Sequence, residues 1–490
     1  MPDPLQSVPN GVRWSVATSA FQIEGSRTAD GRGRSIWDDV ADAPGVVKDG
    51  SSADPSSDSY RRWADDVELV RGLGVDRYRF GISWVRVQPD GTGPANSAGL
   101  DHYSRLVDAL LEAGVTPFPT LYHWDLPVGI EADGGWLSRE TVARFADYTA
   151  LVVDRLGDRV HDWYTINEPA MTTLQGYGIG TLAPLRQLLF EALPTVHHQL
   201  LAHARAVEVL HSAGDHRVGI VNNHTLVLPL RDAPEDHAAA AAYDVLHNRV
   251  FSDPLLAGAY PDLEAFGLPP MPVQDGDLEL IGRPQDFYGI NFYNPTTVTA
   301  ASEGPLPFDI VPTPGAAHTG FGPEWPIVPG ALTALLVDLR ERHGDRLPPV
   351  VIGENGASFP EPESAVRVDD ADRIAYLAGH VSAVADAIAA GVEVAEYTVW
   401  SLLDNWEWLD GYTQRFGLVH VDFATGERTP KASYDWYRRT IAAARDGRAD
   451  ACPPRHPRRS ESCGSCCSRW HGWRSGPSSS PRCSCCCPRS

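Results

Sequence analysis

Residues 139–169 read RETVARFADYTALVVDRLGDRVHDWYTINEP, and the fold is decided by how this stretch is parsed. From Arg139 to Leu156 apolar positions recur at helical spacing, and after a short polar break Asp162 to Ile166 is a β-branched and aromatic run closed by Asn167-Glu168. A helix feeding a short buried strand, with reactive side chains just past the strand, is one unit of a repeated βα architecture. Working outward, seven further strand candidates have the same character: Trp14 to Phe21, Arg77 to Ile82, Thr116 to Tyr122, Val218 to Val221, Phe287 to Asn291, Pro349 to Ile352 and Val394 to Ser401. Helical stretches lie between them, at Tyr60 to Leu73, Gly99 to Ala113, Leu193 to Ser212, Gly330 to His343 and Asp370 to Gly391. Eight strands with intervening helices predict an α/β chain with a single (β/α)8 TIM barrel over residues 1–450.

Barrel active sites lie at the C-terminal strand ends and the loops that follow. Polar and aromatic residues cluster at those positions in this chain: Gln22-Ile-Glu24, Arg79 with Trp84, His123-Trp-Asp125, Asn167-Glu168, Asn222-Asn223, Asn291 with Tyr293, Glu354-Asn355, and Trp400 through Trp408. Helix and strand periodicity alone would not produce that coincidence.

Composition narrows the function. In 490 residues, 43% hydrophobic and 9% aromatic content can bury a large core, which excludes a disordered or fibrous chain. With 41 basic and 64 acidic residues the net charge is −23, a surface that repels phosphate backbones and anionic headgroups. No nucleic-acid or membrane partner is expected. The opening Met-Pro-Asp-Pro-Leu-Gln lacks the layout of a secretory signal, and no apolar run reaches membrane-span length, so a cytoplasmic location is expected.

All eight cysteines fall from Cys452 onward, in a segment with no Leu, Ile, Val or Phe. Its charge of +6 leaves −29 on the rest of the chain. Residues 451–490 therefore read as an Arg/Pro/Ser/Cys-rich disordered tail, with the composition of a GC-rich gene translated in a wrong frame. Cys463, Cys466 and Cys467 do not form the paired Cys-x-x-Cys units of a zinc ribbon or finger, so no metal site is expected there.

Two carboxylates stand out, Glu168 in Thr165-Ile-Asn-Glu-Pro169 and Glu354 in Val351-Ile-Gly-Glu-Asn-Gly356. An isolated Asn-Glu-Pro more often marks a strand end meeting a surface arginine than a catalyst. Two such glutamates at one rim, among amides, a histidine and indoles, point the other way. Burial raises a carboxyl pKa and neighbouring donors lower it, so such a pair can divide into an acid and an ionised nucleophile. Glycoside hydrolysis requires that division. Sugar hydroxyls need amide, carboxylate and imidazole partners, while sugar C–H faces pack on indoles, and the chain has 14 tryptophans.

The chain resembles the β-glucosidases of glycoside hydrolase family one from about Val12 to Ile441. The resemblance is carried, in order, by Ser19-Ala-Phe-Gln-Ile-Glu-Gly25, Gly31-Arg-Gly-Arg-Ser-Ile-Trp37, Tyr78-Arg-Phe-Gly-Ile-Ser-Trp84, Thr120-Leu-Tyr-His-Trp-Asp-Leu-Pro127, Thr165 to Pro169, Asp286-Phe-Tyr-Gly-Ile-Asn-Phe-Tyr293, Gly353-Glu-Asn-Gly356, Trp400-Ser-Leu-Leu-Asp-Asn-Trp-Glu-Trp408 and Gly411-Tyr-Thr-Gln-Arg-Phe-Gly417. It implies a retaining hydrolase acting on small β-glycosides, with Glu168 as acid/base and Glu354 as nucleophile. It further implies that Arg79 and Tyr293 hold Glu354, and that Asn167 bonds the sugar 2-hydroxyl. Gln22, His123, Trp124, Asn291, Tyr293, Trp400, Glu407 and Trp408 would hold the rest of the sugar, with no metal or organic cofactor. Glu407 argues for unphosphorylated sugars, since a carboxylate repels a phosphate dianion.

Three residues depart from the family pattern: Leu185 and Glu396 stand where glycines are usual, and Trp406 replaces a phenylalanine. Leu185 and the loop from Ala300 to Trp325 leave the leaving-group preference open, with Trp325 as a candidate platform for it. Glycosyl transfer to an acceptor and sugar binding without turnover remain alternatives. The presence of both glutamates argues against the second.

Overall fold

Six consecutive residues, Asp162–Asn167, are buried on both faces, as a strand must be when it has a barrel interior on one side and helices on the other. Eight strands share that environment and form one closed parallel barrel in the computed structural model, which describes residues 9, 11–361 and 367–451. They are β1 (Arg13–Ala17), β2 (Arg77–Gly81), β3 (Thr116–Tyr122), β4 (Asp162–Asn167), β5 (Arg217–Asn223), β6 (Tyr288–Asn291), β7 (Val350–Asn355) and β8 (Val394–Trp400). β8 closes on β1, pairing Ala17 with Trp400. All eight sequence candidates are barrel strands. The opening segments read for a signal and the cysteine-bearing tail from Cys452 lie outside the described residues. Among the described residues no helix is long and apolar enough to cross a membrane.

One candidate was too long. The run Trp14 to Phe21 divides, because the strand stops at Ala17 and Ala20–Glu24 is a short helix. Ser19 sits at its N-cap in an extended conformation and donates from Oγ to Gln22 Oε1 at 2.6 Å. This turn aims Gln22 across the top of the barrel. The predicted helices are present with ends moved by at most two residues; Glu140–Leu156, for example, buries Val142, Phe145, Tyr148, Val152 and Leu156 along one stripe.

The barrel interior is filled in layers. At the base, Arg77 pairs with Asp162 at 2.6 Å and Glu396 at 3.1 Å. Above it Phe118 stacks on Tyr164 with centroids 4.5 Å apart. The guanidinium of Arg77 covers the Phe118 ring and that of Arg79 the Tyr164 ring, each at 5.0 Å. Arg79 thus rests on an aromatic floor with its donors directed to the upper rim.

The pairing register shifts between Tyr164 and Asn167 on β4 and between Ile352 and Glu354 on β7. Each irregularity immediately precedes a candidate glutamate, where a bulge re-aims the side chain. Gly356 brings the end of β7 against that of β8, for a Cβ there would sit 1.8 Å from the Trp400 carbonyl oxygen.

Candidate active site

Glu354 ends an apolar strand and meets two donors. Its Oε1 accepts from Arg79 Nη1 at 2.7 Å and its Oε2 from the Tyr293 hydroxyl at 2.5 Å. Arg79 is 1% exposed, and its other donors go to the Gly353 carbonyl (2.9 Å), Asn167 Oδ1 (2.7 Å) and Thr120 Oγ1 (3.0 Å). One guanidinium therefore ties β2, β3, β4 and β7 together at the level of the nucleophile candidate. Glu168 lies just past β4 with φ of 48°, a left-handed conformation rare outside glycine. Its Oε1 accepts from Asn291 Nδ2 at 2.7 Å.

Burial pushes both carboxyls above the ordinary range, but the second influence differs. At Glu168 burial is reinforced by the charge of Glu354, which takes it up to about 8. At Glu354 burial is opposed by the Arg79 guanidinium and the Tyr293 hydroxyl. Glu354 therefore ionises first and Glu168 retains the proton. Burial and the negative charge of Glu354 keep the Tyr293 hydroxyl protonated, so it acts as a donor.

The hydrogen-bond pattern also sets a tautomer. Asn167 Oδ1 accepts from both Arg79 and Asn291 (3.1 Å), so its Nδ2 faces His123 Nε2 at 3.1 Å as donor. Burial, with the adjacent Arg79 charge, holds His123 well below its usual pKa. The imidazole is then neutral with its proton on Nδ1, which is buried. Across the cleft Gln22 Nε2 donates to Glu407 Oε2 at 3.0 Å and to Asn405 Oδ1 at 3.1 Å. Burial, then the charges of Asp410 and Glu354, push Glu407 up.

Indole rings complete this end. Trp124 packs on Trp408 at 4.7 Å, and His123 is parallel to Trp400 at 5.8 Å. Trp124 (φ 75°) and Trp408 (φ 51°) have left-handed backbones, held by packing. The other end is more apolar: Trp325 stacks on Phe321 at 4.4 Å and approaches Tyr293 at 5.4 Å. The cleft between them encloses about 400 Å³ and is lined by both glutamates, Gln22, His123, Trp124, Tyr293, Trp400, Glu407 and Trp408. Arg79, Asn167 and Asn291 lie behind that lining and orient it.

The structure adds lining residues that the sequence did not single out: Met171 and Gln175 on the π-helical turn Met171–Gly178, Leu182 at a bend and Phe321 in a turn. It also removes some rim residues from the chemistry. Trp84 is core, stacked on Tyr148 at 4.9 Å, its indole N–H donating to Gln88. Glu24 pairs with Arg86 at 2.5 Å, Asp125 accepts from Ser83 at 2.7 Å, and Asn222 donates to Tyr288 at 2.9 Å. These groups have partners inside the wall and do not line the cleft. Among the described residues one other acidic cluster has metal-ligand spacing, Glu361, Asp404 and His420. Lys431 already bridges its carboxylates at 2.6 and 2.8 Å, and Arg415 adds a contact at 2.9 Å. The cluster's charge is met by the protein's own cations.

A family model for glycosyl hydrolase family 1 matches residues 5–446. The chain belongs to that family. It is similar to β-glucosidase A of Thermotoga maritima, 40% identical over 442 residues that span 89% of this chain and 98% of the relative. The bifunctional β-D-glucosidase/β-D-fucosidase of Bifidobacterium breve is 41% identical over 461 residues, spanning 89% and 98%. Among solved structures, the Thermotoga maritima β-glucosidase in complex with glucoimidazole superposes with a TM-score of 0.84 at 39% identity, over 89% of this chain and 99% of that one. The psychrophilic β-glucosidase BglU of Micrococcus antarcticus gives 0.85 at 40% identity, over 90% and 98%. The chain is an enzyme, a glycoside hydrolase of family 1.

The structure shows the setting of all three departures from the family pattern. Leu185 keeps a left-handed backbone, φ 60°, in the place where the family's glycine would adopt it without strain. Glu396 is wholly buried in β8 and accepts from Ser15 (2.5 Å), Arg77 (3.1 Å) and Arg13 (3.3 Å). The family 1 barrel here carries an ion network at its base in place of a glycine's bare backbone. Trp406 packs on Phe21 and Trp37, with its indole N–H donating to Ser51 at 3.2 Å.

Proposed function

We propose that this family 1 hydrolase is a retaining β-glycosidase that releases non-reducing terminal, unphosphorylated β-D-glucosyl residues from small glycosides by double displacement. Glu354 is the nucleophile and Glu168 the acid/base. The observation that carries the reading is the unequal surroundings of two buried carboxyls, Arg79 and Tyr293 on one and the Glu354 charge on the other. In the first step a Glu354 oxygen bonds the anomeric carbon while Glu168 gives its proton to the leaving oxygen. Esterification removes the negative charge that had raised Glu168, so its pKa falls and it becomes a base for the incoming water. Water then displaces Glu354, giving net retention.

Glucose-type sugars are supported by the polar end of the cleft, where Gln22, His123 and Glu407 converge. A 6-phosphate is disfavoured because a dianion beside Glu407 would meet the Asp410 charge that already pushes Glu407 up, and among the described residues no Lys or Arg lines the cleft to hold it. The names of the relatives, β-glucosidase and β-D-glucosidase/β-D-fucosidase, support the same class.

Azide rescue tests the assignment. Glu354→Ala should lose turnover of 4-nitrophenyl β-D-glucoside and regain it with azide, yielding the α-glucosyl azide. A β-azide from Glu354→Ala, or the α-azide from Glu168→Ala instead, would reverse the roles.

A further inference from the structure

Tyr164 reaches across the barrel interior because two residues on the far wall carry no side chain. A Cβ on Gly289 would sit 2.6 Å from the Tyr164 ring, and one on Gly353 would sit 3.3 Å from its hydroxyl oxygen. The ring stacks on Phe118 and is covered by the Arg79 guanidinium, while the hydroxyl ends beside the residue that precedes Glu354. There it has no hydrogen-bond partner among the described residues, although Tyr164 is wholly buried. A second such atom faces the same corner. Asn291 Oδ1, equally buried and without a partner, would lie 2.9 Å from the same Cβ on Gly353. The two oxygens are therefore at most about 6 Å apart, the reach of two hydrogen bonds laid end to end.

We infer that this corner binds one buried water, which accepts from the Tyr164 hydroxyl and donates to Asn291 Oδ1, and that Tyr164 thereby positions the carboxamide that holds Glu168. The catalytic consequence rests on the glycosidase reading and extends it to a residue outside the cleft lining. The chemistry of the pair selects water. A phenol can donate, an amide oxygen can only accept, and each needs a partner when buried. One water meets both needs, and Val221 Cγ2, 2.8 Å from the same Cβ on Gly353, keeps the corner small. A cation is disfavoured by the Arg79 guanidinium, 5.0 Å from the centre of the Tyr164 ring. The effect on the acid/base passes through Asn291, whose Nδ2 donates to Glu168 Oε1 at 2.7 Å and to Asn167 Oδ1 at 3.1 Å. A donor at the amide oxygen polarises the group, strengthens both of those bonds and fixes the plane of the carboxamide. The charged and titratable groups that face Glu168 are Glu354, Arg79, Tyr293 and Glu407, and none of them bonds the Tyr164 hydroxyl.

The test pairs a high-resolution crystal structure of the full chain with the structure and kinetics of Tyr164→Phe, which removes the hydroxyl and keeps the ring on Phe118. A single water peak within hydrogen-bond distance of both oxygens is expected in the native chain, lost or displaced in the variant. In Tyr164→Phe, kcat/KM for methyl β-D-glucoside, whose leaving oxygen needs the Glu168 proton, should fall about threefold or more, while the 4-nitrophenyl β-D-glucoside value stays within about twofold. The alkaline limb should move to higher pH, since a weaker donor to Glu168 favours its protonated form. No peak in the native chain, or a Tyr164 hydroxyl bonded to a protein group instead, overturns the water site whatever the kinetics. A peak with equal losses on both glucosides, or with no loss on either, overturns the positioning role and leaves the glycosidase reading standing. No turnover of any glucoside by the native chain sinks that reading and the positioning role with it, while the crystal structure still decides the water.

Discussion

Tyr293→Phe removes one hydroxyl from beside Glu354 and leaves the ring and its contacts with Trp325 and Phe416 in place. The lost bond is short, 2.5 Å, and made to an ionised acceptor. Such hydrogen bonds contribute about 1.5–3 kcal/mol. One pKa unit corresponds to about 1.4 kcal/mol, so loss of a donor that favours the charged form should raise Glu354 by roughly 1–2 units. The sign follows from its role. Glu354 must be ionised to attack, so the acid limb of the kcat/KM profile moves to higher pH. The alkaline limb, set by Glu168 near 8, should move far less. The bell narrows from its acid side, and below the shifted limb activity falls roughly tenfold per pH unit. Stopped-time release of nitrophenol from 4-nitrophenyl β-D-glucoside between pH 4 and 9 measures both limbs. An acid limb that stays in place, or moves down, would refute the claim that Tyr293 holds Glu354 in its ionised form.

Other substitutions probe separate parts of the structure. Glu168→Ala should abolish the alkaline limb and cost far more with an alkyl glucoside, whose leaving oxygen needs a proton, than with the nitrophenyl substrate; equal losses on both would contradict the acid role. Glu396→Ala should strand a buried guanidinium at the barrel base and destabilise the fold by about 3–5 kcal/mol, read from urea unfolding, with kcat/KM of the folded protein within about twofold. A stability loss under about 1 kcal/mol would show that Arg77 is satisfied by Asp162 alone. A chain ending at residue 451 should retain kcat/KM within about twofold and stay in solution at higher concentration, by assay and light scattering.

The strands were legible because a barrel strand is buried on both faces, so β4 and β7 appear as short aromatic and β-branched runs closed by a polar break at the rim, Asn167-Glu168 and Glu354-Asn355. That same break exposed Glu168 and Glu354. The end of β1 was missed although Ser19 followed by Gln22 three residues later is a helix-start signal; the apolar Ala20 and Phe21 masked it. Trp84 shows the opposite error, since proximity to a strand end places a side chain near the rim but does not say which way it turns. An apolar groove lined by Leu174, Leu189 and Ile310 was invisible because these residues belong to a π-helical turn, a 3-10 turn and a short strand far apart in the chain, and only the tertiary fold brings them together. The order of ionisation was beyond periodicity and spacing and entered only through the family resemblance, for it depends on which carboxyl receives Arg79.

The central claim is that Glu354 forms a covalent bond to the sugar. A 2-deoxy-2-fluoro β-glucoside with a good leaving group slows the second step, so the intermediate accumulates and can be digested and sequenced by mass spectrometry. The expected result is time-dependent inactivation with one fluoroglucosyl unit on the peptide containing Glu354, reactivated slowly by an acceptor. A label on Glu168 or elsewhere, or turnover with inversion and no label at all, would contradict it.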